Sequence, residues 1–185
     1  MKFNKRELID ITIAWLGISL AFFFLLRGLG TLTAALTSLG TVGLGFVFHE
    51  LAHKLVAQKY HFEAGFRADY KMILFAVFLA FAAGFVFAAP GAVVTYGRPS
   101  TKQHGHIAIA GPTANIILAI LFFIGTLVVG GTFFKYGMLI NGFLALFNMI
   151  PFGPFDGRAA WRWSKGASIA VMGLGIIAYL GGLFA

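Results

Sequence analysis

Cysteine is absent from the 185 residues, which excludes disulfides, thiolate zinc sites and cysteine nucleophiles. Charge is scarce as well: 11% of residues are charged, and six acidic residues stand against fourteen lysines and arginines. Soluble domains are about half apolar and about a quarter charged. Here 59% of residues are hydrophobic and the mean hydropathy is +0.89, a balance that a bilayer-embedded chain explains. Internal repeats and low-complexity linkers are also missing. The length allows one compact domain over residues 1–185, with no room for a sizeable soluble module. A formal charge of +8 would suit nucleic acid, but the basic residues flank apolar runs and form no clustered face, so nucleic acid is not an expected partner.

A helix needs about 20 mostly apolar residues to cross a bilayer. Runs of that kind extend from about Leu8 to Leu26, Leu29 to Ala57, Ile107 to Val129, Tyr136 to Phe152 and Ala167 to Phe184. The first follows Lys2, Lys5 and Arg6 but is too long for a signal-peptide core, so it reads as a retained span. Short polar joints, Lys59–Lys71, Thr95–Gly105 and Asp156–Gly166, separate the runs. Met72–Val94 is apolar but is interrupted by Gly84 and by Pro90-Gly91, which mark a turn. Gly40, Gly43, Gly45, Gly173 and Gly175 stand at helix-packing spacing, although glycine is common in transmembrane helices generally. In the last joint Trp161 and Trp163 alternate with Arg158, Arg162 and Lys165. Rings and basic groups of this kind concentrate at headgroup level, so the joint is expected to lie along the membrane surface, with a substrate-docking strip as the alternative.

The second run contains His49-Glu50-Leu51-Ala52-His53. Histidines four apart share one helix face, so both imidazoles can reach one zinc ion, and the glutamate between them can take a proton from the water activated there. Ionisable groups inside an apolar helix are expensive and usually functional. The competing reading is a solvated helix end, since Lys54 and Lys59 follow closely. Catalytic zinc usually has three protein ligands. Candidates for the third are His61, Glu63, Asp69, His104, His106 and Asp156. The first five lie in polar joints. Asp156 stands apart because it ends Asn148-Met-Ile-Pro151-Phe-Gly-Pro154-Phe-Asp156-Gly157, where prolines and glycines break the helix. Irregular backbone at membrane depth requires a protein- or water-lined cavity around it; a plain exit loop is the alternative.

The three elements His49-Glu50-x-x-His53, Ala110-Gly111-Pro112-Thr113-Ala114-Asn115 and Asn148-x-x-Pro151-x-x-x-x-Asp156-Gly157 resemble, in kind and order, the signature of the site-2 protease family. They cover a core of about residues 29–157. The family pattern often has a second glycine after the aspartate-glycine pair, where this chain has Arg158. The resemblance implies one Zn2+ held by His49, His53 and Asp156, acid–base work by Glu50, and contact of Asn148 with the substrate or transition state. It also implies an intramembrane endopeptidase acting on transmembrane segments of other proteins within the lipid bilayer, as in regulated intramembrane proteolysis. A zinc transporter or zinc-binding membrane protein could use the same ligands, but it would not need Glu50 and would want polar residues along a full path.

The expected fold is an all-α polytopic membrane protein with five transmembrane helices plus a re-entrant helix and strand, or, as the alternative, six full spans. One zinc can join His49, His53 and Asp156 only if the two span ends face one side, which requires Met72–Val94 to dip in and return. That arrangement puts twelve of the fourteen lysines and arginines on one face, leaving Arg27 and Lys135 opposite. Basic residues favour the cytoplasm, so the site is expected on the cytoplasmic side of a prokaryotic cell membrane. The returning Phe85–Val94 strand would then offer an edge to an unwound substrate.

Overall fold

The computed structural model describes residues 1–86 and 90–184. The first helix, α1 (Lys5–Leu26), starts at Asn4, whose side chain accepts the Glu7 amide. A short 3-10 turn at Arg27–Leu29 leads to α2 (Thr31–Thr37), a π turn at Ser38–Gly43 and α3 (Leu44–Lys59), which continue one another as a single apolar rod. The wide π turn displaces a carbonyl from the regular ladder, and the Trp15 indole of α1 donates to Leu39 O at 3.2 Å. At Gly43 an added Cβ would stand 2.3 Å from Ser19 Oγ, and at Gly45 2.4 Å from Asn141 Oδ1. These two glycines hold helix contacts, whereas Gly173 faces open space.

After α3 comes β1 (Glu63–Ala68), then α4 (Tyr70–Ala83), capped at its start by Asp69 and ended by Gly84 in the left-handed conformation. β2 (Gly91–Tyr96) pairs antiparallel with β1, from Glu63 opposite Tyr96 to Ala68 opposite Gly91. The Asp69 amide donates to Pro90 O at 3.1 Å. The chain therefore leaves at residue 69 and is back beside it at residue 90. Of the anticipated Phe85–Val94 strand, Phe87, Ala88 and Ala89 fall outside the described residues, and the described strand runs two residues further, to Tyr96.

A capping box of Ser100 and Gln103 opens α5 (Thr101–Val128), which carries Pro112 inside it. α6 (Thr132–Asn148), α7 (Asp156–Trp163) and α8 (Lys165–Phe184) complete the chain. α5 packs on α3, α6 and α7, and α6 packs on α8. Buried apolar side chains form small clusters, such as Ala14, Phe66 and Ile73 or Ala21, Ala76 and Ala80. Large apolar side chains point outward instead: Leu74, Leu127 and Val128 are each at least 70% exposed. Patches of that extent suit lipid rather than water.

Four helical stretches, Lys5–Leu29, Thr31–Lys59, Thr101–Val128 and Lys165–Phe184, are long and apolar enough to cross a membrane. α6, expected as a fifth, has 17 residues, rising about 25 Å. The architecture is that of an α-helical membrane protein with one addition: the joint after Lys59 forms a sheet strand. The strip around Trp161 is a helix, and its Trp163 ring packs on Gly105 and His106. Lys54 is fully buried, against the competing reading of a solvated helix end.

Candidate metal centre

His49, Glu50 and His53 are buried on one face of α3, as their spacing requires, and one ligand atom from each lies within 4.8 Å of the others. Asp156, at the start of α7, joins them. Its Oδ2 is 3.1 Å from His49 Nε2 and 3.2 Å from His53 Nε2. The loop before it folds back tightly: at Gly157 an added Cβ would be 2.1 Å from Met149 O, so only glycine lets α7 start there. α5 closes the other side. At Gly111 a Cβ would sit 2.5 Å from both histidine Nε2 atoms. A methyl group there would occupy the centre itself.

The outer nitrogens fix both imidazoles. His53 Nδ1 lies 2.7 Å from Ile107 O, a carbonyl that can only accept, so Nδ1 carries the proton. His49 Nδ1 lies 2.6 Å from Asn115 Oδ1. The Asn115 amide is oriented by its own bonds, with Nδ2 donating to Gly45 O at 3.1 Å and to Asn141 Oδ1 at 3.0 Å. Asn141 Nδ2 in turn donates to Gly137 O at 2.9 Å. Asn115 and Asn141 are both fully buried. Protons on both Nδ1 atoms leave the two Nε2 lone pairs and a carboxylate oxygen facing one another. Three acceptors converging without a donor are the donor set that a metal cation satisfies. Tetrahedral zinc with bonds of about 2.0–2.1 Å spaces its ligand atoms about 3.3–3.4 Å apart, close to the separations found.

Glu50 points beside this trio. Its Oε2 accepts the Val93 amide of β2 at 2.9 Å. Glu50 and the three acceptors line a cavity of about 840 Å³, which also takes in Asn148, Phe46, Phe143 and Thr95. Asn148 donates one Nδ2 hydrogen to Leu144 O at 2.9 Å, which leaves its second hydrogen for the cavity.

The other third-ligand candidates lie elsewhere. Asp69 caps α4, His106 pairs with the Tyr60 hydroxyl and stacks edge-on to Trp163, and Glu63 begins β1. His61 sits in the turn after α3 with φ of 64°. His104 lines the cavity but is not part of the cluster. Sequence reasoning assigned no role to Asn115, although it closes the Ala110–Asn115 element, and it passed over Asn141 and the Val93 amide. A buried asparagine inside an apolar helix was the available signal for the first two.

No protein-family model matches the chain, and no solved structure matches it. It is 41% identical to a Methanocaldococcus jannaschii protein named "Putative zinc metalloprotease", over 97% of this chain and 95% of that one. The cofactor is Zn2+, in agreement with the His-Glu-x-x-His cluster. Identity at that level, across nearly the full length of both proteins, places the chain in the zinc metalloprotease family.

Proposed function

We propose that the chain is an intramembrane endopeptidase of the site-2 protease type, cutting transmembrane segments of other membrane proteins in regulated proteolysis. One observation carries this reading: the His49–Glu50–His53 cluster is buried within apolar helices, yet it opens into a cavity bordered by a sheet edge. In this reading His49, His53 and Asp156 hold the metal. Zinc bound there supplies a Lewis acid that polarises the scissile carbonyl and makes water a stronger nucleophile near neutral pH. Glu50 takes the proton of the attacking water and returns it to the leaving amine. The free Asn148 hydrogen is available to the developing oxyanion, a contribution whose loss typically slows turnover about 100–1,000-fold.

A transmembrane helix satisfies its own backbone, so it must unwind before it can be cut. The sheet register suggests where the unwound segment goes. Phe66 N–H bonds Glu7 and Val93 N–H bonds Glu50, so this opposed pair turns its amides outward. Gly91, Val93 and Thr95 therefore form the open edge of β2, and all three line the cavity. A substrate strand added there would pass over Glu50. Five spans, with α4 and β2 as the re-entrant element and the site toward the cytoplasm, complete the proposal. Single cysteines at Ser100 and Lys135 test the topology with an impermeant thiol reagent. Labelling of Lys135→Cys in intact cells, and of Ser100→Cys only after permeabilisation, is expected; the reverse would overturn it.

The activity is tested by purifying wild-type, Glu50→Gln and Asn148→Ala forms and assaying zinc content and cleavage of tagged single-span proteins on the same samples. All three should hold one zinc. Glu50→Gln should produce no fragments, and Asn148→Ala should be slower by the factor given above. Equal cleavage by wild type and Glu50→Gln would remove Glu50 from the chemistry, and a zinc transporter would produce fragments with neither.

A further inference from the structure

The cavity has an unlike lining: Phe22, Val42, Phe46 and Phe143 are apolar, while Arg158 and Arg162 of α7 bring charge. The arginines are four residues apart and therefore share a helix face. They lie two and six residues beyond Asp156, about 3 and 9 Å along the α7 axis. Both are exposed. Among the described residues no carboxylate pairs with either. The chain has six acidic residues: Glu7 serves Lys54, Asp10 meets Tyr70 and Arg67, Glu50 holds the Val93 amide, Asp69 caps α4, Asp156 faces the histidines, and Glu63 makes no ion pair. The two guanidinium groups thus stand in the groove beside the metal centre with no internal partner.

We infer that Arg158 and Arg162 select substrates bearing an acidic residue next to the cut, by pairing with its carboxylate as the segment lies along β2. This rests on the endopeptidase reading above and names the substrate class. A guanidinium presents paired donors that fit a carboxylate. An extended chain advances about 3.4 Å per residue, so side chains that line the cavity with Asp156 face substrate residues near the scissile bond. The apolar lining of the cavity takes the membrane-embedded side chains of the segment. Most membrane proteins carry lysine or arginine on their cytoplasmic flanks. Those residues would meet Arg158 and Arg162 as like charges and be turned away. Anionic headgroups are the other acceptor for interfacial arginines, but a headgroup partner gives no reason for both side chains to line the groove that holds Glu50 and Asp156.

The test uses the full zinc-loaded chain in zwitterionic nanodiscs. Single-span substrates share one apolar segment and carry one Asp, Asn or Lys scanned through five positions on either side of the cut. The Asp-to-Lys ratio is read twice, as cleavage by the enzyme and as competition binding to the Glu50→Gln form. Within one window of positions both readouts should favour Asp by about tenfold, as expected for a charge-assisted hydrogen bond. Arg158→Gln with Arg162→Gln should bring the ratio to about one, and Arg158→Glu with Arg162→Glu should invert it. A ratio that charge reversal leaves unmoved overturns the inference, as does an effect confined to retention on anionic vesicles. If no form cleaves but the binding preference follows the arginines, the endopeptidase reading falls and the charge selection stands.

Discussion

His53 and Lys54 are neighbours on α3, yet one faces an open cavity and the other completes a closed ion pair. Lys54 Nζ is 2.6 and 2.7 Å from the two Glu7 oxygens, 2.5 Å from Lys2 O and 3.8 Å from the Phe3 ring centre. Glu7 also accepts the Phe66 amide at 3.0 Å. Donors match acceptors, charges cancel, and the group ties α1 to α3 and β1. One helix face away, two imidazole lone pairs and a carboxylate oxygen converge with no donor among them, and an asparagine and a carbonyl hold the rings in that orientation. A buried polar cluster with balanced bonds joins helices. One with surplus acceptors facing a cavity awaits a ligand.

The largest effect that would break this contrast concerns the ion pair. Lys54→Ala leaves the Glu7 carboxylate buried without its cation, and such losses cost about 3–5 kcal/mol. Unfolding in mild detergent should show a drop of that size, while zinc per folded molecule stays at one. The double variant Lys54→Met with Glu7→Leu should recover part of the loss, because both charges go together while the buried Phe66 amide loses its acceptor. If Lys54→Ala instead keeps its stability and loses zinc, the ion pair belongs to the metal centre and the distinction fails.

How much of each cluster could be read from sequence follows from how local its contacts are. His49, Glu50 and His53 were legible because a helix turn alone brings them together. Asp156 was legible through the helix-breaking prolines before it, although residue chemistry alone left five other candidates. Gly84 and Pro90-Gly91 were legible as interruptions, and α4 ends before Gly84 while β2 begins at Gly91. The burial of Lys54 was not legible, because a lysine near a helix end, followed by Lys59, suits a solvated end, and its partner is 47 residues away. β1 was missed because Glu63–Ala68 has no alternating apolar pattern; it becomes a strand only by pairing with β2. Arg158 and Arg162 were visible as charges, but the face they present depends on where α7 begins, which Asp156 and Gly157 fix.

A smaller effect sharpens the comparison from the side of the metal. Asn115 Oδ1 holds the His49 proton on Nδ1, and the Asn115 amide is itself held by Gly45 O and Asn141. Asn115→Ala removes the acceptor, so His49 can turn or carry its proton on Nε2, where it blocks the lone pair that faces Asp156. Loss of an outer partner of this kind costs about 10–100-fold in metal affinity. Competition with a chelator should show zinc held more weakly by that factor. Thr113→Val, two residues earlier on α5, removes only a hydroxyl bond to Ile109 O at an exposed position and should leave affinity unchanged. The two signatures then separate: Lys54→Ala moves stability without moving zinc, and Asn115→Ala moves zinc by more than it moves stability. Unchanged zinc affinity in Asn115→Ala would mean that the Gly111 contact and α3 alone orient His49, and that the asparagine pair is only a helix-to-helix tie like Glu7 and Lys54.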